Sequence, residues 1–255
     1  GDTPSQEPLV NAGGASPTRY DAAKDKVQYG NDAVFPTPKA TVDPGKGADF
    51  ITMDEAQQRL AQWKDIAKRI GREKDNSNKV ILSLFDDSGS WSQPFRDAGY
   101  DVVQIDLAHG DDIFENFPVA EISDIEAAGK KVVGVLAATP CTTFAGSGAR
   151  WWEQRHNVPD NAMVEKLFGP RAARHFDTPV EANTWMVHMS GLAVDMTKPD
   201  FHVLENPIGR IGEMSGLPAP LMRFDPHDFG DPYTKRTQLW GDFNADLPIA
   251  PVEPT

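Results

Sequence analysis

The chain has 255 residues, 39% hydrophobic and 25% charged, which is enough for one substantial core with a small appended element. Thirteen Phe and six Trp exclude disorder of the whole, and no apolar run approaches the roughly 20 residues of a bilayer crossing, so no membrane partner is expected. With 25 Lys and Arg against 38 Asp and Glu the net charge is −13, which excludes a generally basic nucleic-acid binder; any such contact would need a local basic patch.

The single cysteine forbids an internal disulfide and any zinc site built on several thiolates, and fits a reducing cytoplasm. No signal-peptide pattern is present in the first thirty residues. Residues 1–50 hold six Gly and six Pro, and no helical or strand period persists there. They read as an extended Pro/Gly-rich N-terminal arm ahead of a body spanning 51–255.

The body opens with a helical spacing, Ile51, Leu60, Trp63, Ile66 and Ile70, capped by Thr52 or Asp54 and stopped by Gly71. Lys79–Phe85 (KVILSLF) reads as a buried strand, followed by a turn at Asp86–Ser90 and a helix to about Ala98. Gly99 ends that helix and Tyr100–Asp106 (YDVVQID) is a second strand, giving a right-handed βαβ unit. A third strand, Lys131–Ala137, runs into Thr139-Pro140-Cys141. An inserted loop and helical region, about 142–180, precedes a helix at Ala182–Val194. Phe201–Leu204 is a fourth strand ending in Glu205-Asn206-Pro207, and Thr237–Trp240 a late one. Alternating strands and helices predict an α/β domain with a doubly wound, mostly parallel sheet.

In such sheets ligands bind beyond the carboxyl ends of the strands, and FDDSGSW, TPC and ENP all fall there. The turn Phe85–Trp91 has only Gly89 as glycine, so it is neither a dinucleotide fingerprint nor a phosphate loop. Asp106 could accept both hydroxyls of a ribose or merely cap a helix. Cys141 could be a small buried hydrophobe. Its place at a strand end, before Thr142, Thr143 and a run of small residues, instead suits an exposed nucleophile. Glu205 could be a general acid kept partly protonated by burial, or a helix cap. Segment 141–175 carries five basic and three acidic residues around Trp151-Trp152; it suits phosphate contact and base stacking, or a solvated loop over a packed Trp pair. The six histidines show no paired helix spacing and are read as structural or surface groups, so no metal site is expected.

The order LFDDSGSW, an acid after strand two, GDDI, TPCTTF, ENP and KRTQLW, over roughly Leu82–Trp240, resembles the DNA (cytosine-5) methyltransferase family, as a short, phage-type member. The resemblance implies a Rossmann-like class I methyltransferase fold using S-adenosyl-L-methionine. It implies that Phe85 and Gly89 line the methionine end of the cofactor, within a rim that includes Asp87 and Trp91. Asp106 takes the ribose position, Asp112 and Ile113 the adenine contacts, and Pro140 borders the cofactor beside the nucleophile Cys141. Glu205 is implied to contact the cytosine and Arg236 to hold it, with Thr142, Arg150, Arg155 and Asn206 on the substrate side. The expected partner is DNA with its cytosine flipped out or single-stranded, in the cytoplasm of a bacterial or phage-infected cell.

The sequence departs from the family at Asp86-Asp87, where small residues are usual, at Thr234 in place of a first arginine, and at Pro207 in place of a common Val. No large recognition domain follows Arg236, and the helix near Asp54–Ile70 is expected to stand in for the family's closing helix by permutation. Two other readings remain open. One is a related alkyl transferase acting on a free nucleotide or RNA, or using a modified cofactor; the other is a non-catalytic binding protein on the same scaffold.

Overall fold

A computed structural model describes residues 34–114 and 117–255. Six strands form one sheet: β1 (Lys79–Leu84), β2 (Asp101–Ile105), β3 (Lys131–Ala137), β4 (Phe201–Pro207), β5 (Met222–Phe224) and β6 (Thr237–Asp242). Their order is β2-β1-β3-β4-β6-β5. The first four strands run parallel, and β6 lies antiparallel to both β4 and β5. This mostly parallel α/β arrangement is compatible with a Rossmann-like fold. Strand order turns back on itself between β1 and β3, so the switch point where such sheets open a crevice lies there.

The central strands β1 and β3 are buried on both faces, as their near-continuous apolar sequences require, whereas the edge strand β2 is buried only at Ile105. On one face Val80, Leu82 and Leu84 of β1 join Val135, Ala137 and Leu204 in the main core. Helices α3 (Val119–Ala127), α4 (Asn161–His175) and α5 (Pro179–Thr197) contribute to that core through Ile125, Phe168, Met186 and Val187. On the other face Ile81, Val133 and Leu136 pack with Trp91, Phe95 and Phe201. Phe95 belongs to the short α2 (Gln93–Asp97) and stacks on Phe201 with centroids 5.6 Å apart. Gly134 lets the Phe201 ring lie on the sheet, since a Cβ there would fall 2.4 Å from it.

Helix α1 (Met53–Arg72) forms where the spacing predicted, with Thr52 accepting from Glu55 N at 3.2 Å. Its expected apolar stripe is only half used. Ala56 packs with Ala250 and Val252 beside Ile51 and Trp63, whereas Ile66 and Ile70 remain exposed. Helix α5 exceeds its predicted span because Thr178 and Glu181 form a capping box with Pro179 at the first turn. Strand β4 runs three residues beyond the predicted Phe201–Leu204, so Glu205, Asn206 and Pro207 lie in the strand, paired with β6. Helices α3, α4 and α6 (Ile211–Ser215) and strand β5 carry no pattern strong enough to have been predicted singly. Among the described residues no helix is long and apolar enough to cross a membrane.

Where it is described, the expected arm is docked on the body. Val34 and Phe35 are buried in the main core, and His202 Nε2 donates to the Val34 carbonyl. Val42 adds a parallel bridge to Met222 at the β5 edge, its amide 2.8 Å from Leu221 O. Residues 34–50 therefore belong to the body, while 1–33 lie outside the described residues. Proline and glycine suppress regular structure without preventing single apolar side chains from docking. Phe35 is 3% exposed and meets the His202 ring edge-on at 5.7 Å. Phe35→Ala should cost about 3–5 kcal/mol, measured by denaturant unfolding; a loss below about 1 kcal/mol would mean that this segment does not stabilise the body.

Candidate active site

Parallel pairing sets Ala137 of β3 against Leu204 of β4. The segment that follows β3, Thr139-Pro140-Cys141, and Glu205, the next residue of β4, therefore reach the same rim of the sheet. Two buried asparagines hold the Pro-Cys segment. Asn206 Nδ2 donates to Thr139 O at 2.8 Å, and Asn183 Nδ2, from α5, donates to Pro140 O at 2.7 Å and to Thr143 Oγ1 at 2.8 Å. Cys141 is half-buried, and its carbonyl accepts from the amides of Phe144 and Ala145 in a tight turn.

That turn is joined directly to the end of β4. Ala145 and Gly209 form an antiparallel bridge, Gly146 N donates to Ile208 O at 2.9 Å, and Arg210 N to Phe144 O at 2.9 Å. A Cβ at Gly209 would stand 1.9 Å from Phe144 O, so only glycine permits this approach. The buried Arg210 side chain adds a bond from Nε to Thr143 O at 2.9 Å and lies over the Trp152 ring at 4.4 Å. The turn bearing Cys141 and the segment that follows β4 are thus one hydrogen-bonded unit.

Glu205 is partly buried and accepts no hydrogen bond from the described residues. Burial pushes its carboxyl above the ordinary range, and the Lys235 charge partly opposes this. A carboxyl whose pKa is raised in this way holds its proton more firmly and can donate it to a bound group.

At the switch point, reaching Ala138 and Pro140 just ahead of Cys141, is a cavity of about 230 Å³. Five residues assigned to a cofactor from sequence line it: Phe85, Asp106, Asp112, Ile113 and Pro140. Asp106 uses one oxygen to cap the turn after β2, accepting from Ala108 N at 2.9 Å. Asp112 Oδ1 accepts from Phe114 N at 3.0 Å, with Arg171 Nε 3.7 Å from its other oxygen. Leu167 and Phe168 of α4 and Met186 of α5 supply an apolar wall. Nothing in the local sequence marked α4 as a wall. It lies at the cavity because its chain breaks at Gly169 (φ 88°) before Pro170.

Three other cofactor assignments do not reach the cavity. Trp91 packs on the opposite face of the sheet with Ile81 and Val133. Gly89 faces Gln104 and Arg96, and its carbonyl accepts from Ser92 Oγ at 3.2 Å. Asp87 is solvent-exposed, 3.7 Å from His109. The reason is the buried Asp86, whose carboxylate accepts from Ser83 Oγ, Ser92 Oγ and Ser92 N and turns the loop toward α2.

On the substrate side Thr142 is exposed next to Cys141, and the guanidinium groups of Arg150 and Arg155 lie 5.1 Å and 4.2 Å from the Trp151 ring. Asn206 is fully buried and serves the Thr139 contact. Arg236 is placed away from the role assigned to it: its guanidinium pairs with Asp225 at 3.1 Å and Asp43 at 2.6 Å. Sequence reasoning missed Asn183, Gly209 and Arg210. Asn183 alone carried a signal, as a polar residue on the apolar stripe of a helix.

No protein-family model matches the chain, and no curated protein matches it in sequence.

The raised Glu205 pKa makes a testable contribution to stability. The folded state holds this proton more tightly than the unfolded chain, whose value is the ordinary 4.5. The contribution is fully present below that value and is lost as pH rises through the folded-state pKa. Glu205→Gln removes the loss, so the variant should melt above the wild type at neutral pH and lose that advantage near pH ~4. Thermal unfolding at several pH values checks this; a difference in Tm that does not vary with pH would contradict it.

Proposed function

We propose that this chain is a DNA (cytosine-5) methyltransferase of the S-adenosylmethionine-dependent, Rossmann-like class. The observation that carries the reading is that the Cys141 turn is hydrogen-bonded to the end of β4, the strand that bears Glu205, with a cavity lined by Phe85, Asp106, Asp112 and Pro140 at the same rim of the sheet. The cavity suits the cofactor: an acid after β2 for a ribose, Asp112 for an amino group on the base, and an apolar wall for the adenine ring. When bound, S-adenosylmethionine supplies an electrophilic methyl group.

The residues present suit the rest of the chemistry. Cytosine C5 is a poor nucleophile until the C5–C6 double bond is disrupted. The Cys141 thiolate adds to C6, the ring electrons shift toward N3, and Glu205 gives its proton to N3 while accepting from the exocyclic amine. C5 is then enamine-like and nucleophilic. After alkylation, loss of the C5 proton and departure of the Cys141 sulfur restore the aromatic ring. A base within a duplex cannot reach such a pocket, so the cytosine must be flipped out or single-stranded. Arg150 and Arg155, stacked on Trp151, offer phosphate contacts and a stacking surface on an otherwise acidic body.

Two experiments test this reading. Asp106→Ala should weaken S-adenosylmethionine binding by about 1–3 kcal/mol in calorimetry, the usual loss for a hydrogen bond to a charged group; undiminished affinity would remove Asp106 from the site. DNA containing 5-fluorocytosine should trap the protein covalently in the presence of cofactor, because fluorine cannot leave C5 as a proton. The adduct should map to Cys141, vanish in Cys141→Ser, and form about 10²–10⁴-fold more slowly in Glu205→Gln. Undiminished methyl transfer by Cys141→Ser would overturn the mechanism. Modification of a free nucleotide or RNA, with none of DNA, would move the substrate class.

A further inference from the structure

The register of the last two long strands separates the neighbouring cations Lys235 and Arg236. Strand β6 pairs Leu239 with Glu205 and Thr237 with Pro207. The ladder continues one residue further, since Ile208 N donates to Arg236 O at 2.8 Å. Residues paired across strands share a face, and successive residues alternate between faces. Carrying that alternation two residues ahead of the start of β6 at Thr237 assigns Lys235 to the face of Glu205 and Arg236 to the opposite one.

The contacts agree with this parity. Pairing of Phe224 with Thr237 brings Asp225 level with Arg236, and the Arg236 guanidinium binds Asp225 and Asp43 there. Two carboxylates already neutralise it, and they hold its charge above the usual guanidinium range. The Lys235 ammonium is exposed and has no hydrogen-bond or ion-pair partner among the described residues. Its field falls on Glu205, whose carboxyl is likewise without a hydrogen bond from them.

Resting on the reaction proposed above, we propose that Lys235, not Arg236, is the cation that meets the target base. Its ammonium donates to cytosine O2 and balances the carboxylate left when the Glu205 proton moves to N3. The edge of cytosine presents the amine, N3 and O2 in a row. Glu205 spans the first two, which leaves O2 as an acceptor needing a donor. As sulfur bonds to C6, the C5–C6 electron pair moves between C4 and C5. The C4–N3 pair moves onto N3, which shares it with O2 through the C2 carbonyl. N3 takes the Glu205 proton, and Glu205 becomes an anion in a partly buried site. A nearby ammonium stabilises both O2 during the addition and the carboxylate after it.

The test uses the full chain with Lys235→Met, Lys235→Arg and Arg236→Met. In the substrate-free protein, titration of the Glu205 carboxyl by carbon NMR should move upward in Lys235→Met, return toward the wild type in Lys235→Arg, and stay in place in Arg236→Met. Arg236→Met should instead lower the melting temperature through loss of its two carboxylate pairs. In single-turnover methyl transfer to a cytosine-containing oligonucleotide, Lys235→Met should be slower by about 10²–10³-fold, the loss typical of one donor to a developing oxyanion. Lys235→Arg should recover most of that rate. If Arg236→Met rather than Lys235→Met moves the Glu205 titration, or if Lys235→Met transfers methyl at the wild-type rate, the assignment of Lys235 is overturned. A wild-type protein that modifies no cytosine overturns the proposed reaction and the base contact with it, whatever the titration shows.

Discussion

Two parallel strands in register, β3 and β4, carry the candidate site. Strands so paired end on the same rim of the sheet, and their following loops must leave it side by side. The Cys141 turn and Glu205 are 64 positions apart in the chain, yet strand pairing brings them to the same rim of the sheet. The rest of the site refines this placement. The Ala145–Gly209 bridge extends the contact between the two strand ends past the sheet itself. Gly209 is what permits it, because any side chain there would collide with the Phe144 carbonyl.

Polar groups buried around that rim do structural work that apolar packing could not. Asn183 and Asn206 approach the Thr139–Thr143 segment from a helix and from a strand, each donating to a backbone carbonyl that the turn leaves unpaired. Arg210 holds the same segment from a third side while its guanidinium covers Trp152. Such bonds matter chiefly through the penalty for breaking them in a buried place. They tie the Cys141 segment down from three sides, as the proposed nucleophilic role would require.

Electrostatics then sort the site into two sides. The cavity side carries Asp106, Asp111 and Asp112 and suits a cationic or ribose-bearing ligand. The segment after Cys141 carries Arg150 and Arg155 against Trp151, on a chain whose net charge is −13. An acidic body repels a polyanion everywhere except at such a patch, which would restrict the approach of a nucleic-acid strand to one orientation. At Glu205, burial and Lys235 act on the proton in opposite senses.

Local chemistry was enough to place β1, β2, β3 and α1, since apolar runs form strands and a capped helical spacing forms its helix even where half of the stripe stays exposed. It also brought Phe85, Asp106, Asp112, Ile113 and Pro140 to one crevice, because strand ends in a parallel sheet share a rim. Other features depended on contacts between distant segments. Trp91 and Phe85 are six positions apart on one turn, but the bonds from Ser83 and Ser92 to Asp86 send them to opposite faces. Phe35 lies in a proline-rich stretch without any period, and only the opening beside His202 makes it a core residue. Lys235 and Arg236 are adjacent cations in sequence. Their separation onto two faces comes from the pairing of β6 with β4, a long-range register that no local pattern encodes.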